Sequence, residues 1–581
     1  TRRVPENTEK INQKIPLPMS RLITIAFAFI ALASHAQNLS ILNHWDNLDG
    51  TVERGYAGKS IFWNCGQNYD YRQYAKELQQ EGINGTVLNN VNASPKMLAT
   101  EYLDSVKIFA DILRPYGVKV YLSVNFASPQ ALGGLTTADP LDKKVKKWWK
   151  NKVKEIYKKI PDFGGFLVKA NSEGQPGPMD FGRTHADGAN MLADALKPYK
   201  GIVMWRAFVY SQNDPDRAKQ AYIEFKDLDG KFRDNVIIQI KNGPIDFQPR
   251  EPISPLFFAM PQTKVMAEFQ ITQEYLGHAN HVNYLAPIWK EMLSCLKDYG
   301  TNVNYVGAAG VSNRGNDPKA NHIFAKLNEY AFAALAKDPE AQVDKIADQW
   351  ITDNFGMNED EARKLTDILL LTREATVNFM MPLGLHHLFA WGHHYGPEPW
   401  CKIEGGRPDW MPSYYHRADK EGLGFNRSST GSNATAQYPE KLKKLYDSRQ
   451  TCPDEYVLWF HHVGWNDRLH SKRTLWEELC HRYQTGVDMV RQIQTEWAKR
   501  EKMMLKLEYS GKLERGTFHD IKQRLAIEEH DAIWWKDACV QYFQTFAQQP
   551  IPPFCEKPQR TLDELKKFKI NIDNCTNAMP F

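Results

Sequence analysis

A chain of 581 residues with 42% hydrophobic content is long enough for a large buried core and two folded units. Its 73 Lys and Arg nearly balance 69 Asp and Glu, and lysines are interleaved with acids along the helical patterns, which excludes a basic nucleic-acid footprint. The 12% aromatic content suits a large core or sugar-stacking platforms, and the eight cysteines form no CxxC pair, which argues against a zinc cluster.

Residues 1–18 read as a polar, basic leader. From Met19, a basic start, the apolar run Leu22–Leu32 and small residues ending at Ala36 read as a secretory signal, too short to span a bilayer. That places the mature chain in the periplasm or outside the cell. Eight short apolar runs follow as predicted strands: Ser60–Asn64, Gly85–Asn90, Lys119–Asn125, Gly165–Asn171, Ile202–Val209, Val236–Lys241, Val265–Thr272 and Tyr305–Ser312. Between them lie helical patterns such as Tyr102, Val106, Phe109, Ala110, Leu113 and Trp148, Val153, Ile156, Tyr157. Strands alternating with helices predict a (β/α)8 barrel over 39–340, with a doubly wound open sheet as the alternative. From 341 to 581 the pattern predicts a mostly helical C-terminal domain: helices at Ile346–Phe355 and Glu361–Leu383, then a His-, Gly-, Pro- and Trp-rich loop region from Gly384 to Tyr438. An amphipathic helix through Trp476, Leu479, Tyr483, Val487, Val490, Ile493 and Trp497 follows, with further helix over Ile521–Phe546. Disulfides among Cys452, Cys480, Cys539 and Cys555 stay open, with no pairing assignable.

Polar residues gather where the predicted strands end: Asn89, Asn90, Asn125, Glu173, Arg206, Lys241, Glu274 and Asn313. In a barrel that rim carries the chemistry. Four segments stand out: Lys169-x-x-x-Glu173, Arg206 within an apolar strand, Lys241 with Asp246, and Glu268 with Glu274. Buried charges are expensive unless paired, so a structural ion-pair network is one reading. A site for an anionic substrate is the other. Arginine and lysine would hold the anion, while hydrolysis of a glycosidic bond needs one protonated acid and one carboxylate base or nucleophile. Glu173 fits the acid and Asp246 or Glu274 its partner. The adjacent pairs His386-His387 and His393-His394 diverge on most backbones, so no metal is expected.

At these residues the chain resembles the α-glucuronidases of glycoside hydrolase family 67. The motifs are Asn43-His-Trp-Asp-Asn-Leu-Asp-Gly50, Phe166 through Pro178, Gln239 through Gln248, Glu268 through Tyr275, Leu383 through His387, His393 through Pro397 and Tyr415-His-Arg-Ala-Asp419. The resemblance implies a barrel with a helical C-terminal domain bordering the site, and release of glucuronic or 4-O-methylglucuronic acid linked α-1,2 to the non-reducing terminal xylose of xylo-oligosaccharides. It implies inversion and no cofactor. Glu173 matches the general acid, Asp246 and Glu274 the pair that activates water, and Lys169, Arg206 and Lys241 the surroundings of the uronate carboxylate. Trp45 lies in the motif that supplies a ring to the sugar pocket. The strand positions alone often mean a retaining enzyme with Glu274 as nucleophile; the alternatives are therefore a retaining glycosidase acting on another uronate and an inactive sugar-binding relative. Family members usually carry a β-rich domain before the barrel. Here the signal segment runs directly into Leu39, so that domain is expected to be missing. Pro318 through His322 replaces the family's aromatic-containing turn, and the stretch from Cys295 to Asn304 looks short. The helical C-terminal face is the expected place for any homodimer contact.

Overall fold

The computed structural model describes residues 38–53, 57–63, 69–210, 213–390 and 394–568. The expected leader and signal segment, Cys65, Cys575 and His393 lie outside them. Eight parallel strands close into a barrel in chain order: β1 (Leu39–His44), β2 (Gly85–Val87), β3 (Lys119–Ser123), β4 (Gly165–Val168), β5 (Ile202–Arg206), β6 (Val236–Lys241), β7 (Lys264–Gln270) and β8 (Tyr305–Ser312). Closure runs through β1, which pairs with β8 from Leu39↔Gly307 to His44↔Ser312 and with β2 at Ile41↔Gly85.

The predicted first strand, Ser60–Asn64, is therefore corrected: Leu39–His44 takes its place. The described part of the aromatic run, through Trp63, is a bend. Its Ser60 hydroxyl donates to Asp46 Oδ2 at 2.5 Å and Trp63 Nε1 donates to the Leu88 carbonyl at 2.8 Å. An apolar run of strand length does not separate the two structures by itself.

Side-chain alternation explains how the barrel becomes a site. Ile41, Val87, Tyr121, Leu167, Met204, Ile237, Met266 and Ala309, one from each strand, form a buried cluster of their own. Two residues further along, and so on the same side of their strands, come Asn43, Asn89, Ser123, Lys169, Arg206, Gln239 and Glu268, all buried. The barrel is apolar at one level and, apart from Val311 of β8, polar at the next, towards its C-terminal mouth. Gly164 serves the lower level, because a Cβ there would stand 2.3 Å from the Tyr121 ring.

Helices Tyr71–Glu81, Thr100–Leu113, Lys143–Lys159, His185–Leu196, Arg217–Phe225, Ala286–Tyr299 and Ile323–Lys337 cover the outside, while the β6–β7 connection contributes the 3-10 turn Pro255–Ala259. The later segment is helical as expected, with Val343–Phe355, Glu359–Met380, Leu475–Ala498 and Thr517–Ala547. Leu475–Ala498 starts from a Thr474/Glu477 capping box and buries every residue of the predicted apolar face. It runs so close to Glu359–Met380 that a Cβ on Gly486 would lie 2.6 Å from the Phe379 nitrogen. The described residues from Leu39 onward form one compact unit. Cys452, Cys480, Cys539 and Cys555 are unbridged thiols. Among the described residues no helix is long and apolar enough to cross a membrane.

Candidate active site

Past β4 the chain leaves the sheet with Lys169 and turns sharply, Asn171 and Glu173 both taking left-handed φ values of 52° and 47°. Asn171 pins the turn by accepting from the Met179 nitrogen at 3.0 Å and donating to Asp180 Oδ1 at 2.8 Å. Gly177 has to be glycine here, since a Cβ would lie 2.0 Å from Asn171 Oδ1. The result aims Glu173 over the mouth, its side chain 40% exposed, beside a Lys169 that is 1% exposed. Lys169 donates to Glu173 Oε2 and to Asn92 Oδ1, the latter at 2.7 Å. Burial pushes the Glu173 carboxyl up, but Lys169, followed by Lys241, outweighs it and leaves its pKa lowered. Burial is also the main reason the Lys169 pKa is lowered; Glu173 opposes this and nearby Arg206 adds to it.

Asp246 lies after β6 in a loop organised by Glu251, whose buried carboxylate accepts from the backbone nitrogens of Ile245 at 2.9 Å, Asp246 at 2.9 Å and Gln248 at 3.0 Å. One Asp246 oxygen accepts from Lys241 at 2.5 Å and the other from the Tyr275 hydroxyl at 2.5 Å. Burial works to raise the Asp246 pKa, yet Lys241, Arg217 and His387 hold it far below the ordinary carboxylate range. Glu274 is buried after β7. It accepts from Gln270 Nε2 at 3.0 Å and contacts His394 Nδ1 at 2.7 Å.

Glu173 and Asp246 line one cleft of about 360 Å³, together with Tyr210, Arg217, His387, Phe389, Ala390, His394, Asp409 and Trp410. That volume is in the range of small-molecule sites. Lys169 and Lys241 stand behind its two carboxylates, and Glu274 reaches it through His394. Glu173, His387 and His394 hold left-handed φ values of 47°, 51° and 59°, a clustering of strained backbone that marks functional sites. His386 and His387 do not diverge as expected from adjacent positions but bring their Nδ1 atoms together; His387 also stacks on Tyr415, and His394 meets Glu274.

Of the expected residues, only Glu173 and Asp246 line the cleft itself; Lys169, Lys241 and Glu274 stand behind it, and Arg206 and Trp45 are engaged elsewhere. Arg206 spends its fork on Glu268, with Nε 2.8 Å from Oε2 and Nη2 on Oε1, and Gln239 Nε2 adds a third bond to Glu268 at 2.8 Å. Trp45 packs in the core, 7% exposed, with its indole nitrogen unpartnered among the described residues. Phe208 covers the cations: its ring centre is 3.5 Å from Lys241 Nζ, 5.4 Å from the Arg206 guanidinium, 5.7 Å from that of Arg217 and 5.9 Å from Lys169 Nζ.

Sequence reasoning missed Arg217, Tyr210, Tyr275, Asp409 and Trp410 as lining or supporting groups. Arg217 opens a short helix after the run Asn213-Asp-Pro-Asp216, which reads as a surface cap. Only the C-terminal segment makes it part of a cleft: the Tyr414 hydroxyl accepts from the Arg217 nitrogen at 2.8 Å, and Arg427 Nε meets the capping Asp216 at 3.0 Å. The same segment fixes the Glu274 loop. His281 contacts Asp531 at 2.6 Å, the Val282 nitrogen donates to Glu528 Oε2 at 3.0 Å, and Arg524 donates to the Ala279 carbonyl at 2.5 Å.

Residues 28–319 match the model of the glycosyl hydrolase family 67 middle domain and residues 320–555 that of the family 67 C-terminus. The chain is 39% identical over 537 residues to "Alpha-glucuronidase A" of Aspergillus tubingensis, covering 88% of this chain and 62% of that protein. It is 38% identical over 541 residues to "Alpha-glucuronidase" of Hypocrea jecorina, covering 87% and 62%. It thus spans about three fifths of the length of the curated relatives it matches. With the two family models adjoining across the barrel and the helical segment, this chain belongs to glycoside hydrolase family 67.

Proposed function

We propose that the chain is an inverting α-glucuronidase, releasing glucuronic acid or its 4-O-methyl ether from an α-1,2 linkage to the non-reducing terminal xylose of xylo-oligosaccharides. The observation that carries this reading is that Glu173 and Asp246 face one cleft, each held by a buried lysine. A neutral sugar has no use for that cation set, whereas a uronate carboxylate does. In the proposed reaction Glu173 gives its proton to the departing xylose oxygen. A water between the carboxylates attacks the anomeric carbon from the opposite face and loses its proton to Asp246, with Glu274 sharing the charge through the water. Lys169 and Lys241 hold the uronate, Arg206 supports them from below, and Trp45 belongs to the wall behind the sugar. Residues 39–340 carry these groups. Residues 341–581 close the cleft with His387, His394, Asp409 and Trp410.

A proton NMR time course with 4-O-methylglucuronosyl xylotriose tests the reading. Early β-anomer of the free uronic acid is the expected product. An initial α-anomer would replace inversion with a covalent intermediate on Glu274, and no release by the folded protein would end the enzyme reading.

A further inference from the structure

The proposed reaction needs Glu173 protonated at the moment the glycosidic oxygen leaves, but Lys169 holds it as an ion pair. Among the described residues its one side-chain hydrogen-bond partner is Lys169. The other charged or titratable groups facing it are Arg206 and Tyr210 from β5 and its loop, and Lys241 and Asp246 from β6 and its loop. Arg217, His387, His394 and Asp409 lie around the cleft, and Glu53 lies behind Lys169. Asp246 is held differently: its two oxygens have separate partners, Lys241 and the Tyr275 hydroxyl, and Arg217 adds charge from the side. One more negative charge at the lysines therefore removes most of what keeps Glu173 ionised and only part of what keeps Asp246 so.

We propose that the substrate arms its own acid: the uronate carboxylate, on reaching Lys169 and Lys241, takes over their charge, and Glu173 picks up one proton from solvent while Asp246 stays ionised. The inference rests on the uronate reading above and deepens it. Charge balances, since the substrate brings one negative charge and Glu173 gains one proton. That proton is the one delivered to the leaving xylose oxygen. The proton from the attacking water appears on Asp246 and returns to solvent, and the Lys169–Glu173 pair reforms as the uronic acid departs. Selectivity for uronates then lies in turnover as well as in binding. A glycoside with CH2OH in place of the carboxylate can sit in the cleft and still meet an unprotonated Glu173.

Calorimetric titration of the whole protein with D-glucuronic acid, in two buffers of different ionisation enthalpy at about pH 5.5, reads the switch, with roughly half a proton or more taken up per ligand bound. D-glucose gives no uptake, and in Glu173→Gln glucuronate binds with the uptake gone. Uptake that persists in Glu173→Gln places the proton on another cleft group, His387 or His394, and overturns the proposal. Binding to the wild type without uptake overturns the switch alone and leaves the uronate reading standing. Failure of glucuronate to bind the folded wild type overturns the uronate reading, and the switch with it.

Discussion

Replacing Arg206 by Met separates a substrate role from a structural one. The Arg206 and Glu268 side chains are 3% and 1% exposed and meet through two parallel hydrogen bonds. Two such charges about 4 Å apart at an effective dielectric of about 20 attract by roughly 4 kcal/mol, and removing one partner of a buried pair typically costs 3–5 kcal/mol. Gln239 still donates to Glu268 at 2.8 Å. A retained bond of that kind offsets about 1 kcal/mol, so the expected loss is about 3 kcal/mol. Urea unfolding measures it. Arg206→Met/Glu268→Gln should regain most of the loss, because the stranded charge is gone. The pH dependence gives a sign check. Burial works to raise the Glu268 pKa, but Arg206 overcomes this and leaves it lowered, so in the wild type the pair's contribution is present above the ordinary carboxylate range and is lost as pH falls through the lowered value. In Arg206→Met the stranded carboxylate takes up a proton more readily, and the gap to the wild type narrows on acidification. A single variant within 1 kcal/mol of the wild type but with a raised KM would refute this reasoning and return Arg206 to direct contact with substrate.

Tyr275→Phe deletes the hydroxyl that donates to Asp246. A hydrogen bond to a charged group is worth about 1.5–3 kcal/mol, so kcat should fall about 10- to 100-fold with KM little changed, and a loss confined to KM would remove Tyr275 from support of the base. Arg217 lines the cleft, 3.9 Å from Asp409, with one guanidinium nitrogen buried and unpartnered among the described residues. Arg217→Leu should raise KM by about tenfold or more and leave kcat within a few-fold, whereas an unchanged KM would exclude a ligand contact. Burial lifts Glu528 to about 7, above the ordinary carboxylate value, so its favourable contribution is complete at low pH and is lost as pH rises towards 7. Over that window the wild type should lose on the order of 3 kcal/mol in urea unfolding, and Glu528→Gln should flatten the profile. An equally steep profile in the variant would assign the dependence to another group, such as His281, whose pKa is raised by Asp531 against the effect of burial.

Local pattern was enough wherever a residue's environment follows from its neighbours in sequence. Alternation of apolar strands and amphipathic helices predicted the barrel, and the 3.6-residue period of the stretch from Trp476 to Trp497 predicted the buried face of its helix. Polar residues ending apolar strands pointed to the rim, because a parallel barrel buries its strands and leaves charge a place only at their ends. The reach of those strands was overread: Asn171 and Val209 lie past the observed ends Val168 and Arg206, where the chain has already turned into the rim.

Tertiary structure decided what depends on partners far apart in the chain. Leu39–His44 becomes the first strand because β8 and β2 both pair with it, a choice no local propensity makes between it and the aromatic run at Ser60. Arg206 and Lys169 look alike as cations at strand ends, yet Glu268, 62 residues from Arg206, claims one guanidinium, while Lys169 faces the cleft acid four residues on. Arg217 joins the cleft only because Tyr414, 197 residues away, anchors its backbone. The sequence by itself determined the alternation of strands and helices and the chemical types on the rim, since both follow from burial along a local repeat. Which charges pair with one another and which are left facing the cleft is set by distances that exist only once the barrel has closed and the helical segment has packed against its mouth.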